Sequence, residues 1–344
     1  MRGAGPRLLL YFGKPSGKLA DAIGRVLESY GVSYDVAHGR LSEDQLEGFD
    51  LVVVVGEDRD VLAVSHAMRE RVVPVLGLSV SGNSTFLMEA GVGEVESVVE
   101  KLGAGEYHVA EVSRLSVSLD GSSEGVPCAL NEVAVFPSRS ATLMEHTLVV
   151  DDEVVWRDYS DGVIVATPTG STAYALSAGG PILLPSSRAF VVVSVNSLDL
   201  TRRPLVVSED SVIEIREVSS RCDCEVVVDG SHRFKVEDRV VIRRAERPAL
   251  FVRLSRGSDT ARRIAKKVML AKELMDMPPS AKLILKILEY EGPLTQKDII
   301  AKTLLPPRTV RHALSILMSR GLVHKQPLLR DARQDLYHVA TELE

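Results

Sequence analysis

Residues 161–181 concentrate the chemistry of this 344-residue chain. A β-branched run, 163–166, ends in Thr167-Pro168-Thr169-Gly170-Ser171, a tight polar turn of the kind that can set backbone amides around an anion. Residues 172–178 then read as a short helix, begun by hydroxyl residues that can cap it and stopped by Gly179, Gly180 and Pro181. N–H groups opening into a helix N-terminus suit a phosphate-bearing ligand. A plain strand-turn-helix corner is the other reading of the same residues. A second stretch, Gly56-Glu57-Asp58-Arg59-Asp60, follows the apolar run 51–55, and the turn after a buried strand is where open α/β sheets bind ligands. A third group, Arg308, Thr309, Arg311, His312 and Ser315, falls on one face of a helix and offers cations and hydroxyls to a nucleic acid.

These groups need elements to hold them. Residues 8–12 read as a strand, and 18–30 put Leu19, Ile23, Val26 and Leu27 at helical spacing before Gly31. With the buried strand 51–55, this alternation predicts a parallel α/β domain over 1–110. Short β-rich segments with turns then predict a second domain, layered and β-rich, over 111–255. A connecting helix is expected over 256–279, where Arg262, Arg263, Lys266 and Lys267 accompany Ile264, Val268 and Leu274.

Over 280–344 the spacing predicts three helices. The first has Leu283, Ile284, Ile287 and Leu288 on one face, and the second is capped by Thr295 with Asp298 at capping-box distance. The third, 308–320, turns Val310, Leu314 and Leu317 inward, and 322–339 suits a hairpin with Arg330 and Arg333 at its tip. This run resembles the winged helix-turn-helix domains of archaeal and bacterial regulators over 280–339. The resemblance implies binding to double-stranded DNA, with the third helix in the major groove and the wing on phosphate. Use of such a domain for dimerisation or protein contact is the alternative.

The run Asp161-Gly162, an apolar strand, Thr167-Pro168-Thr169-Gly170-Ser171-Thr172-Ala173-Tyr174 and Ser177-Ala178-Gly179-Gly180-Pro181 resembles the signature of the NAD kinase family. Further similarities lie in Pro74-Val75-Leu76-Gly77-Leu78, Asn131-Glu132, Arg203-Pro204-Leu205-Val206 and Asp229-Gly230, so that the resemblance spans roughly residues 7–255. It implies NAD binding by Asp58, Arg59, Asn131, Glu132, Asp161, Thr172, Ala173, Tyr174, Ala175, Leu176 and Ser177. It also implies a catalytic base at Asp58 and a phosphate-donor loop containing Gly56, Glu57 and Arg59. The sequence departs from the family in that loop. Glu57 and Arg59 replace two glycines, Asp60 replaces a threonine, Ser79 an asparagine and Tyr159 an arginine. Side chains obstruct positive φ and close phosphate approach, so these changes are expected to weaken phosphoryl transfer.

Charge is uneven. Residues 255–344 hold 16 lysines and arginines against 10 acids, leaving −12 on the first 254 residues of a chain whose formal charge is −6. Cys128, Cys222 and Cys224 read as structural thiols, and no metal-ligand cluster is expected. Three Asn and four Gln lean toward a heat-adapted source. No run suits a signal peptide or a membrane span, which predicts a soluble cytoplasmic protein.

Two functions follow as expectations. The first is an NAD kinase-like protein that binds NAD or NADP and acts as a ligand-responsive DNA-binding regulator, with weak or absent kinase activity. The second is a functional NAD kinase that uses ATP and Mg2+ to phosphorylate the 2′-hydroxyl of NAD and carries the winged helix as an accessory. Phosphorylation of another small molecule is a third possibility. Because phosphoryl transfer depends chiefly on positioning, two charged residues in the cradle favour the regulator. Both resemblances imply a homo-oligomer, dimer or tetramer.

Overall fold

A computed structural model of the protein describes residues 6–69, 71–80, 87–139, 142–254, 277–291, 293–328 and 331–339. The chain divides into two compact units, one within residues 1–261 and one within 262–344.

The first unit begins with β1 (Arg7–Phe12), α1 (Gly17–Ser29), β2 (Ser33–His38), β3 (Leu51–Gly56), α2 (Asp58–Ala67), β4 (Val75–Ser79), β5 (Ala90–Gly91), α3 (Val95–Ala104) and β6 (His108–Val112). Strands β1 to β5 pair in parallel. Both faces of this sheet are covered, which is why its strands are continuous apolar runs rather than alternating ones. Leu8, Leu10 and Phe12 pack with Ile23 and Leu27 of α1, whereas Leu9, Tyr11, Val52 and Val54 pack with Val61 and Val64 of α2. The order β2-β1-β3-β4 reverses direction between β1 and β3. The carboxyl ends of those two strands, at Phe12 and Gly56, therefore flank the crevice where such sheets take ligands.

The chain continues as β7 (Leu115–Leu119), β8 (Glu132–Pro137), β9 (Met144–Val150), β10 (Glu153–Ser160), β11 (Gly162–Ala166), α4 (Tyr174–Ser177), β12 (Ala189–Val195), β13 (Leu205–Ser208), β14 (Ile213–Ser220), β15 (Cys224–Val228), β16 (His232–Val236), β17 (Val240–Arg244) and β18 (Ala249–Arg253). Two antiparallel sheets, β10-β9-β14-β17-β7 and β13-β12-β11-β8-β15-β16, share one core that includes Leu148, Ile213, Val163, Phe190 and Val226. The layered β region is thus a sandwich. Its last strand is not part of it: β18 pairs with β4 and β6 in the first sheet, so the segment expected to end at 255 contains one strand of the α/β layer.

Arg114, 1% exposed, ties the two layers together. Its guanidinium donates to the carbonyls of Met68 (2.8 Å) and Ser65 (3.4 Å) at the end of α2 and to Arg247 O (2.9 and 3.1 Å). Burial holds its pKa below the usual arginine value.

The second unit contains α5 (Pro279–Glu291), β19 (Leu294–Thr295), α6 (Gln296–Thr303), α7 (Pro307–Ser319), β20 (Val323–Leu328) and β21 (Asp331–Val339), with a sheet ordered β19-β21-β20. Its core holds Ala281, Ile284, Leu288, Ile299, Val310, Leu314 and Leu317. Thr295 caps α6: its Oγ1 accepts from Asp298 N at 3.2 Å, and Asp298 Oδ2 accepts from Thr295 N at 3.1 Å. Leu283, expected inward, is 42% exposed, because the buried stripe of α5 runs through Ala281, Ile284, Leu285 and Leu288 instead. Most of the connecting helix expected over 256–279 lies outside the described residues, as does Arg330. Among the described residues no helix is long and apolar enough to cross a membrane.

Candidate functional site

The site is organised from beneath by a carboxylate that the sequence presents only as half of an Asp-Gly turn. Asp229 lies between β15 and β16 with its side chain fully buried. Its Oδ2 accepts the N–H of Leu130 (2.8 Å), and its Oδ1 accepts those of Asn131 (2.8 Å) and Glu132 (2.9 Å). His66 Nε2, near the end of α2, is 2.8 Å from Oδ2. With a carboxylate as partner, that nitrogen carries the proton. Residues 130–132 are thereby fixed at the mouth of β8.

The turn after β11 closes on the same segment. Thr167 Oγ1 donates to Leu130 O (2.7 Å), and Thr167 N donates to Asn131 O (2.9 Å). Gly170 lies so close to Asn131 that a Cβ would collide with the Asn131 carbonyl, and only glycine fits there. The expectation of an amide-lined anion cradle is not met. Gly170 N donates to Thr167 Oγ1, Ser171 N to Thr167 O, and Ala173 N to Gly170 O. The hydroxyls turn back as well: Ser171 Oγ donates to Pro168 O (2.6 Å) and Thr172 Oγ1 to Thr169 O (3.1 Å), so neither caps α4. These short-range bonds make the turn a rigid wall rather than a nest.

Along that wall stand Glu132, Asp161 and Tyr174. Burial first, and then the negative charges of Glu132 and Asp161, raise the pKa of the Tyr174 phenol, and its ring stacks on Phe136 at 5.8 Å. Asp161 Oδ2 accepts Nδ2–H of Asn196 at 2.8 Å. Two carboxylates, a phenol and the Asn131 amide suit a ligand rich in hydroxyls, which ionised carboxylates accept. Of the run 172–177, Tyr174 and Ser177 are exposed and Ala173 and Leu176 half-buried. Thr172 is buried, and Ala175 is fully buried in a core with Ile164 and Val193, so the Ala175 side chain cannot meet a ligand.

The other half of the site begins at the end of β3. Glu57 has φ −126°, extended backbone open to any residue, and Asp58, Arg59 and Asp60 form the first turn of α2. The expected glycine-loop strain at positions 57 and 59 is therefore absent. Asp60 Oδ2 accepts Glu57 N at 2.8 Å, completing a capping box, and its carboxylate occupies the space that a Cβ on Gly13 or Gly56 would need. Arg59 is exposed, while Glu57 and Asp58 are half-buried. Helix α2 carries Asp58 at one end and, roughly 12 Å along its axis, delivers His66 to Asp229. The sequence reading missed His66, Asn196 and the central part played by Asp229. Only the Glu57–Asp60 capping spacing was open to detection locally.

Cys128, Cys222 and Cys224 form no disulfide, and burial pushes the Cys224 thiol up to about 11. Among the described residues no group of three or more His, Cys, Asp or Glu is arranged to hold a metal. In the second unit, Arg308, Arg311, His312 and Ser315 of α7 are exposed and Thr309 is half-buried.

Comparison with known proteins bears on both halves of the first unit. Residues 26–107 match the ATP-NAD kinase N-terminal domain and 130–254 the ATP-NAD kinase C-terminal domain. The NAD kinase of Methanothermobacter thermautotrophicus is 37% identical over 222 residues, 64% of this chain and 76% of that one. The NAD kinase of Methanopyrus kandleri is 37% identical over 227 residues, 66% of this chain and 80% of that one. An NAD kinase from Archaeoglobus fulgidus, solved in complex with ATP, superposes with a TM-score of 0.66 at 28% identity, covering 76% of this chain and 98% of that one. Yeast NADH kinase, solved with NADH, shares the fold with a TM-score of 0.67 at 23% identity, covering 77% of this chain and 88% of that one.

Proposed function

The chain belongs to the NAD kinase family, and from that premise we propose that it is a working NAD kinase, transferring the terminal phosphoryl group of ATP to the 2′-hydroxyl of NAD. The observation that carries this reading is the pairing of an intact ribose-binding wall, Asn131, Glu132, Asp161 and Tyr174, with Asp58 in the unstrained first turn of α2. The regulator with little kinase activity, which the sequence favours, rests on two charged residues in the phosphate cradle, and the part of that argument that needs a glycine conformation at 57 or 59 does not hold. The catalytic relatives support the kinase instead.

In this mechanism Glu132 and Asp161 accept the hydroxyls of the nicotinamide ribose, and Asn131 and Tyr174 orient that end of the dinucleotide. Asp58 takes the proton from the attacking 2′-hydroxyl. The donor phosphates lie at the crevice between the ends of β1 and β3. There the exposed Arg59 meets them and offsets the charge of Glu57. Glu57 and Asp58 would hold a magnesium ion there, and the ion would neutralise charge developing on the donor phosphates. Asp60 keeps its oxygen on the Glu57 amide and is not available for that task. Steady-state production of NADP from NAD, ATP and magnesium tests the proposal. Asp58→Asn should lower kcat by about 10²–10⁴-fold. An inert wild type, or an unaffected variant, would refute it.

For the second unit we propose a winged helix-turn-helix that binds double-stranded DNA as an accessory to the kinase. Its helix-strand-helix-helix-strand-strand order and the exposed Arg308, Arg311, His312 and Ser315 on α7 support this reading. Arg308→Ala with Arg311→Ala should weaken retention on duplex DNA and reduce its salt dependence by about two counterions. Unchanged retention would exclude it.

A further inference from the structure

Beyond β12 the chain makes an excursion that returns at once to the end of β10. Asn196, the first residue past the strand, has φ 49° and donates its Nδ2–H to Asp161 Oδ2 at 2.8 Å. Ser197 Oγ donates to Asp158 Oδ1 at 2.6 Å, and Leu198 N to Tyr159 O at 2.9 Å. Arg202 then faces Asp158 Oδ2 at 3.6 Å, pairs with Asp199 at 3.1 Å and covers the Trp156 ring at 4.5 Å. Asp158, with a side chain only 1% exposed, is the buried anchor of this loop. Three consecutive loop residues thus grip Asp158, Tyr159 and Asp161.

We infer that Asn196 is a positioning residue for Asp161: its amide fixes the rotation of the Asp161 carboxylate, and the 197–202 loop, anchored on Asp158, holds that amide in place. A carboxylate on a partly exposed turn rotates freely about its last bond. Held at one oxygen, it presents the other in a single direction. The left-handed backbone at position 196 suits glycine, asparagine and aspartate, and of those three only asparagine brings a donor. If the residue served the turn alone, glycine would do equally well. The inference rests on the reading of Asp161 as a ligand of the dinucleotide.

Calorimetric titration of the full chain with NAD and with ATP, separately, tests it without reliance on catalysis. Asn196→Gly keeps the backbone conformation and removes the amide. It should weaken NAD binding about tenfold and leave ATP binding within about twofold. Asn196→Asp, which sets a like charge against Asp161, should weaken NAD at least as much. The decisive comparison is a cycle with Asp161→Ala. On that background Asn196→Gly should have no further effect, since an amide that acts through a carboxylate has nothing left to act on. NAD affinity unchanged in Asn196→Gly, or losses that simply add in the double variant, would overturn the assignment of Asn196 while leaving Asp161 as a ligand. NAD affinity unchanged in Asp161→Ala would remove the underlying reading and the inference together.

Discussion

Asp229→Asn is the sharpest test of how the site is built. The left-handed backbone at position 229, φ 46°, is tolerated by asparagine, so the substitution changes chemistry and not conformation. The native carboxylate accepts three backbone N–H groups and the His66 ring, all at 2.8–2.9 Å. An amide has one oxygen. If that oxygen keeps Asn131 and Glu132, the NH2 group takes the place of Oδ2: it meets the buried N–H of Leu130 donor to donor, and His66 must change tautomer to accept from it. Losing the bond and burying an unmatched donor together cost about 3 kcal/mol, or roughly a hundredfold in the folded-to-unfolded ratio. Trp156 is the sole tryptophan and lies against the sandwich core, so its fluorescence in a denaturant titration reads this unit directly. The same shift moves residues 130–132, so KM for NAD should rise while KM for ATP holds. A loss of stability below about 0.5 kcal/mol with an unchanged KM for NAD would mean that Asp229 does not organise the site.

Three further outcomes follow from polar groups of the first unit. Asp60→Ala removes the capping bond to Glu57 N and should cost about 1 kcal/mol in denaturant unfolding; no loss would show that the start of α2 holds without it. Arg114→Met deprives the carbonyls of Ser65, Met68 and Arg247 of their donor and should cost about 3 kcal/mol; a neutral change would refute its role as a tie between the layers. His146, the register partner of Asp158 on β9, is fully buried, and burial pushes its imidazole down to about 4 against the pull of Asp158. Between about pH 4 and 6.5 the unfolded chain binds a proton that the folded one refuses. This contribution is therefore intact above pH 6.5 and falls by up to about 3 kcal/mol as pH drops to 4. His146→Leu should flatten that part of the stability-pH curve, and an unchanged slope would disprove the assignment.

The elements that a sequence displays locally were readable. The apolar run at 51–55 reads as a strand covered on both faces, and it is β3. The run from Asp161 to Tyr174 carries enough side-chain detail to be grouped with Asn131 and Glu132, and the turn after β11 closes on that segment. What escaped depends on partners distant in the chain. Asp229 reads as a turn residue until three amides from 97 to 99 residues earlier meet its oxygens, and His66 reads as an ordinary helical residue until Asp229 arrives beside it. Likewise β18 has nothing in its five residues to say that it leaves the sandwich for the first sheet.

The loop after β3 shows the opposite error, in which a local departure from a pattern was weighed without its compensation. Glu57 and Arg59 look damaging where glycines are usual, and Asp60 looks like a third fault. Together they make sense. With an acid at position 60 to accept the Glu57 amide, the chain enters α2 at Asp58 through extended and then helical backbone, and no residue there needs a glycine conformation. The cost of the change is then steric and electrostatic at the donor phosphates rather than conformational, and Arg59 lies on the exposed side where it can reduce it. On this argument Arg59→Gly, which nominally restores a familiar residue, should raise KM for ATP several-fold and leave KM for NAD unchanged. A lower KM for ATP in that variant would mean that the arginine obstructs the donor, and the loop would have to be read as a remnant after all.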